Sequence, residues 1–253
     1  MTKIAAIAAV TFRDALRQKL AVNLLVFALL VMAASIVLSE LTFGEQYRII
    51  ADLALSAAAV FGTLIAVFVG ANLVAGDVQR RTLYPVIAKP VSRTEYLLGR
   101  YAGLVTTLSL NLAVMALTTF AVVALYRGNL GFLRDTPVVA AFVALAAQLA
   151  LVGAIALLFS SVTNATLAAI CTLAIAVAGH LSREAIPYWR TSAVGRAFGL
   201  ALPNLAALDY KVQVVYQQPV AAADLGLKLL YAALYVAVLL AATSAIFSRR
   251  DLR

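Results

Sequence analysis

The sequence predicts an all-α integral membrane protein of six transmembrane helices in a single domain, residues 1–253, and three observations carry that prediction. Hydrophobic residues make up 64% of the chain and charged residues 12%, against roughly 45–50% and 25% in soluble domains. Six apolar runs are of a length to cross the hydrocarbon core, which takes roughly 20 residues. None of the six contains Asp, Glu, Lys or Arg, each of which would cost about 2.5–3.5 kcal/mol at mid-membrane.

The elements follow in chain order. Residues 4–19 read as an N-terminal interfacial helix, with Ile4, Ile7 and Ala8 ahead of Arg13, Asp14 and Arg17. The first run, 20–38, is longer than the 7–15-residue core of a secretory leader and reads as a span. The remaining runs are 53–75, 101–125, 138–159, 165–181 and 229–247. Six spans put both termini on one side. The segments on that side (1–19, 76–100, 160–164, 248–253) hold 12 Lys/Arg and 4 Asp/Glu, while the opposite segments hold 8 and 7. Excess Lys and Arg stay in the cytosol, so both termini and the 76–100 loop are expected there, in a cytoplasmic (inner) membrane. Residues 182–228 form the one large loop on the far side.

The net charge of +9 does not indicate nucleic acid. That would need a basic patch on a soluble fold, and here the basic residues lie between apolar runs. Cys171 is the only cysteine and cannot make an internal disulfide.

The least typical stretch is GDVQRRTLYPVIAKPVSRTEYLLGRYAG, Gly76 to Gly103, with two prolines and five of the twenty Lys and Arg. Thr82 is a cap candidate, and Pro85 fits the first turn of a helix, where its missing N–H costs nothing. Leu83, Val86 and Ile87 then share one face of a short amphipathic helix. Lys89-Pro90 ends it, because the residue before a proline avoids the helical region. Ser92 and Glu95 form a capping box for the helix that runs into the third span. By local chemistry alone this is either a well-capped turn or a docking surface for a cytosolic partner.

The run AGDVQRRTLYPVIAKPVSRTEYLLGR, Ala75 to Arg100, resembles the cytosolic segment of type-2 ABC exporter permeases. Within them it is similar to the group named for the nitrous-oxide-reductase maturation permease, NosY. That pattern is an acidic residue, Gly-Thr-Leu, an apolar pair, Pro-Val-Ser-Arg, and Leu-Leu-Gly-Lys. Thr82-Leu83, Lys89-Pro90-Val91-Ser92-Arg93, Glu95 and Leu97-Leu98-Gly99 match it. Asp77 stands for the usual Glu, Arg100 for Lys, and Arg81 for Gly, where the backbone is expected to differ. Weaker echoes lie at Thr11–Arg17, Leu202–Leu205 and Phe247–Leu252.

The resemblance implies a permease that pairs with a second copy and with separate cytosolic ABC ATPase subunits. It implies a cytosolic coupling helix in the loop, and coupling roles for Asp77, Arg80, Arg81, Thr82, Leu83, Tyr84, Lys89, Pro90, Ser92, Arg93 and Glu95. The chain has no G-x-x-x-x-G-K-[ST] phosphate loop. No cofactor is expected in it, with ATP and Mg on the partner.

Within the spans, Asn72, Asn111 and Gln148 are candidates for a translocation path, since amides facing lipid are costly. His180 is the only histidine, and no Cys/His/Asp/Glu cluster accompanies it, so no metal site is expected. Gly99 and Gly103 have the spacing for close helix packing. Pro187, Tyr188, Trp189, Tyr210 and Tyr216 in the far loop suit interfacial anchoring. The loop also leaves room for a cap over the path, or for contact with an extracytoplasmic partner protein. Two other classes stay open: an ATP-independent secondary transporter, disfavoured by spans without ionisable side chains, and a non-transporting membrane scaffold. No nucleophile–base arrangement supports an intramembrane enzyme.

Overall fold

The computed structural model describes residues 3–40, 46–79, 92–127, 136–189 and 202–249. Every regular element among them is helical: α1 (Lys3–Leu16), α2 (Lys19–Glu40), α3 (Gln46–Gln79), α4 (Arg93–Arg127), α5 (Thr136–Val162), α6 (Ala165–Trp189), a 3₁₀ turn (Leu205–Leu208), α7 (Lys211–Val215) and α8 (Ala222–Arg249). The six apolar runs fall on α2, α3, α4, α5, α6 and α8.

Four stretches are long and apolar enough to cross a membrane: Tyr47–Asp77, Arg93–Ala124, Pro137–Val162 and Ala222–Ser248. A fifth arises if α1 and α2 count as one span bent by 62°. The apolar part of α6, Ala165–Leu181, has 17 residues, at the short end of what spans a bilayer. Four to five candidate spans therefore stand where the sequence leads to six.

α5 is the centre of the bundle. Leu149, Leu151, Val152, Ala154, Ala156 and Leu157 are buried against their neighbours. It meets α3 closely, because a Cβ on Gly70 would lie 2.5 Å from that of Ala156. Without a side chain at 70 the two backbones approach as small-residue pairs allow in membranes. One turn further, Ser160 Oγ donates to the Ala71 carbonyl (2.8 Å) and accepts from the Val74 and Ala75 amides (3.0 Å each). This fixes the end of α3 on α5. α8 is the peripheral helix, with Leu227, Leu230, Leu234 and Val238 exposed along one stripe.

α1 does not lie free of the bundle. It runs along the start of α4, with Thr11 and Ala15 buried. Gly99 and Gly103 provide the groove: an added Cβ would meet Ile7 Cβ at 2.7 Å and Thr11 Cβ at 2.5 Å.

Candidate functional site

α4 begins with the capping box expected from the sequence. Ser92 Oγ accepts from the Glu95 amide (3.1 Å), and the Ser92 amide donates to Glu95 Oε2 (2.8 Å). Two turns on, Arg100 reaches back to α3. Its guanidinium bonds Asp77, and the Tyr96 hydroxyl donates to the same carboxylate oxygen. Arg100 Nε donates to Tyr96 Oη (3.2 Å), and Nη1 to Thr11 Oγ1 on α1 (3.3 Å), with Asp14 at 4.0 Å. The Arg100 and Asp77 side chains are only 13% and 18% exposed. A pair this far from water interacts more strongly than a surface pair.

α3 is described to Gln79 and α4 from Arg93. The Asp77–Tyr96–Arg100 cluster therefore clasps the two feet of the intervening loop together. Arg93 extends the clasp to α8. Its Nη1 donates to the Phe247 and Ser248 carbonyls, both at 3.0 Å, where a cation also complements the helix dipole. The Tyr96 ring stacks on Phe247 with centroids 6.2 Å apart. Four helices, α1, α3, α4 and α8, thus meet at the base of one loop.

Of the residues that the resemblance assigns to coupling, Asp77, Ser92, Arg93 and Glu95 are described, and each is bound within the chain. Arg80, Arg81, Thr82, Leu83, Tyr84, Lys89 and Pro90 lie outside the described residues. Tyr96 and Arg100 were not in that set. A signal for them existed: Asp77 follows an apolar run directly, and a carboxylate at that depth needs a cationic or hydroxyl partner.

At the opposite end of the bundle, residues 202–216 pack against the helices. Leu205, Leu208, Tyr210 and Val214 are buried. Asn204 caps the 3₁₀ turn, its Oδ1 accepting from the Ala207 amide (3.0 Å), while its own amide donates to Tyr231 Oη (3.0 Å). Gly179 on α6 admits the segment, since a Cβ there would lie 2.7 Å from the Pro203 oxygen. Lys211 ties it to α3 through Asp52 (3.5 Å) and Ser56 Oγ (3.1 Å). Tyr210 donates to Asp224 on α8 (2.7 Å). Burial, then that hydrogen bond, raises the Tyr210 pKa above the ordinary phenol value. The sequence indicated room for a cap here, but none of its residues marked Lys211 or Ser56 as the anchor.

The three path candidates lie on three helices, α3, α4 and α5. Asn72 is exposed, and its Nδ2 donates to the Phe68 carbonyl of its own helix (2.8 Å). Asn111 is buried on α4. Gln148, also buried, pairs with His180 across α5 and α6, Nε2 to Nε2 at 3.2 Å. His180 Nδ1 lies 3.0 Å from the Ala176 carbonyl. A carbonyl only accepts, so Nδ1 carries a proton, and in that tautomer Nε2 accepts from the Gln148 side-chain amide. Two further buried oxygens, Thr63 Oγ1 and Gln213 Oε1, have no hydrogen-bond partner in the structure. Among the described residues no group of three His, Cys, Asp or Glu is placed to hold a metal.

Beside the clasp, α1, the start of α2 and α3 enclose an open cavity of about 830 Å³. Arg17, Lys19, Asn72 and Gly76 are on its walls.

No curated protein matches the chain. The family model described as ABC-2 family transporter protein matches residues 5–252, nearly the full length. A bundle of long apolar helices whose charged loop is fastened at its base fits a membrane subunit of such a transporter, and the chain belongs to the ABC-2 transporter family, as a multi-pass permease component that works with ABC ATPase partners.

Proposed function

We propose that the chain is the ATP-coupled permease of an exporter, in the NosY-like group. In this reading it crosses the inner membrane six times with both termini cytosolic, and α1 lies at the membrane interface. Two copies form the path, and each copy takes one ATPase subunit. ATP and Mg belong to those subunits, and no cofactor or metal belongs to this chain. Residues 82–88 form the coupling helix.

The observation that carries the reading is the clasp. Asp77, Tyr96 and Arg100 pin the loop's feet to each other, and Arg93 holds the last turn of α8. A loop fastened this way moves as a unit with four helices. Closure of an ATPase dimer under it would tilt α3 and α4 together and draw α1 and α8 with them. At the far end, residues 202–216 are the closed gate, and Lys211–Asp52 is the tether that must open. That pair is partly exposed and so is weak enough to break in each cycle.

Tyr84 is the aromatic anchor on the proposed coupling helix, and interface energy concentrates in such side chains. Tyr84→Ala is expected to weaken ATPase binding about 30-fold, equivalent to about 2 kcal/mol, with membrane insertion unchanged. Co-purification of the two subunits and substrate-stimulated ATP hydrolysis measure this. Unchanged binding and coupling would make residues 82–88 part of a turn only. Orientation is tested separately. A cysteine at Gln217 should react with an impermeant maleimide in sealed cells, and one at Ser92 should not. Labelling at Ser92 reverses the topology.

A further inference from the structure

We propose that the cavity between α1, the start of α2 and α3 binds the headgroup of an anionic phospholipid from the leaflet on the clasp side. Its depth is the first argument. The apolar run of α2 starts directly after Lys19, and that of α3 ends directly before Gly76. Both residues line the cavity, so its two walls change from apolar to polar at the same level, that of the lipid headgroups.

Charge is the second argument. Five charged residues line the cavity. Asp14, Asp77 and Arg100 are joined to one another. Arg17 and Lys19 are exposed and meet no acid within ion-pair distance among the described residues. Those three carry one net negative charge, so the lining as a whole keeps one net positive charge, placed on Arg17 and Lys19, and basic pockets between membrane helices on the cytosolic side bind anionic headgroups. A choline or ethanolamine headgroup would bring a cation against them.

The third argument is shape and polarity. Val69 and Leu73 line the same cavity and suit the glycerol and upper acyl carbons, which a soluble anion lacks. About 830 Å³ lies within the roughly 300–1,000 Å³ of small-molecule sites. Asn72 supplies an amide at the wall.

The test uses the purified permease in detergent, without ATPase, so that its result is independent of the coupling proposal. Native mass spectrometry counts bound dioleoylphosphatidylglycerol against dioleoylphosphatidylcholine. The unaltered chain should retain the phosphatidylglycerol selectively. Arg17→Ala and Lys19→Ala should each lower that affinity about 5-fold and together about 30-fold, from about 1 kcal/mol per basic residue. Arg13→Ala makes the same charge change on an exposed residue outside the cavity and should have less than a 2-fold effect, on the same scale. Gly76→Phe tests the space without touching charge. A Cβ there meets only Asn72, at 3.8 Å, so the ring can enter the cavity and should displace the lipid. Equal retention of the two lipids overturns the proposal. So does an Arg13→Ala loss as large as that of Arg17→Ala, which would mean diffuse surface attraction. Displacement of the lipid by inorganic phosphate alone would mean a phosphate site instead.

Discussion

Gly103→Val strips α1 from α4 and lowers the stability of the purified permease by several kcal/mol. The reason is steric and sits in backbone as well as side chain. A Cβ at 103 would lie 2.5 Å from Thr11 Cβ and 2.7 Å from the Ala8 carbonyl oxygen. The carbonyl belongs to α1's own hydrogen-bonded ladder and cannot rotate away. Ordinary overpacking costs about 1–3 kcal/mol when side chains can shift, and here the helix itself must leave. Its departure also removes Thr11 from Arg100. Gly103→Ala separates this account from intrinsic propensity. In a helix with nothing against it, Gly→Ala stabilises by about 1 kcal/mol, whereas in this groove it should destabilise. Gly226→Val is the control, because no atom lies within 4 Å of a Cβ there. Thermal unfolding in detergent reads all three. Equal midpoints for the 103 and 226 variants would refute the groove.

Arg100→Met has the second-largest expected effect. It removes the guanidinium from Asp77, the donor to Thr11 and the cation over the Tyr96 ring, which lies 5.5 Å from the guanidinium carbon. Losing one partner of a fully buried pair costs about 3–5 kcal/mol. This pair keeps some contact with water, so about 2–3 kcal/mol is expected. Asp77→Asn keeps the shape and the Tyr96 acceptor and should cost less. The double variant should recover much of the Arg100→Met loss, because no carboxylate then remains beside an apolar side chain. That non-additivity is the signature of a direct pair. The functional readout moves with it: substrate-stimulated ATP hydrolysis by the reconstituted complex should fall in Arg100→Met and return partly in the double variant. Simple additivity of the two losses would show that Arg100 acts elsewhere.

Much of the helical framework was legible because apolar run length and the absence of charge are properties of the chain itself. All six runs fall on helices, and the Ser92–Glu95 capping box forms as its spacing requires. The span count was less legible. It depends in part on the 62° bend between α1 and α2, and a bend between helices is not a periodicity. The site was legible in part. Asp77 and Arg93 stood out by position beside the apolar runs. Gln148 stood out as a polar residue in a span, but its partner, His180, is 32 residues away and on another helix.

By itself, the sequence determined that the chain is helical and membrane-embedded, which runs form the apolar cores of its long helices, and that one charged, proline-marked loop differs from the rest. Those features follow from local rules: backbone groups in lipid must bond within their own helix, and caps act over three or four residues. Only the tertiary structure decided that Gly99 and Gly103 receive α1 rather than a neighbouring span. The same holds for Asp77 meeting Arg100 and Tyr96, for Arg93 reaching the Phe247 and Ser248 carbonyls, and for Lys211 holding the far segment to α3. Such pairs join residues from about 20 to more than 150 positions apart. Which of many chemically equivalent partners they find is set by how the helices pack in three dimensions, on which local propensity is silent.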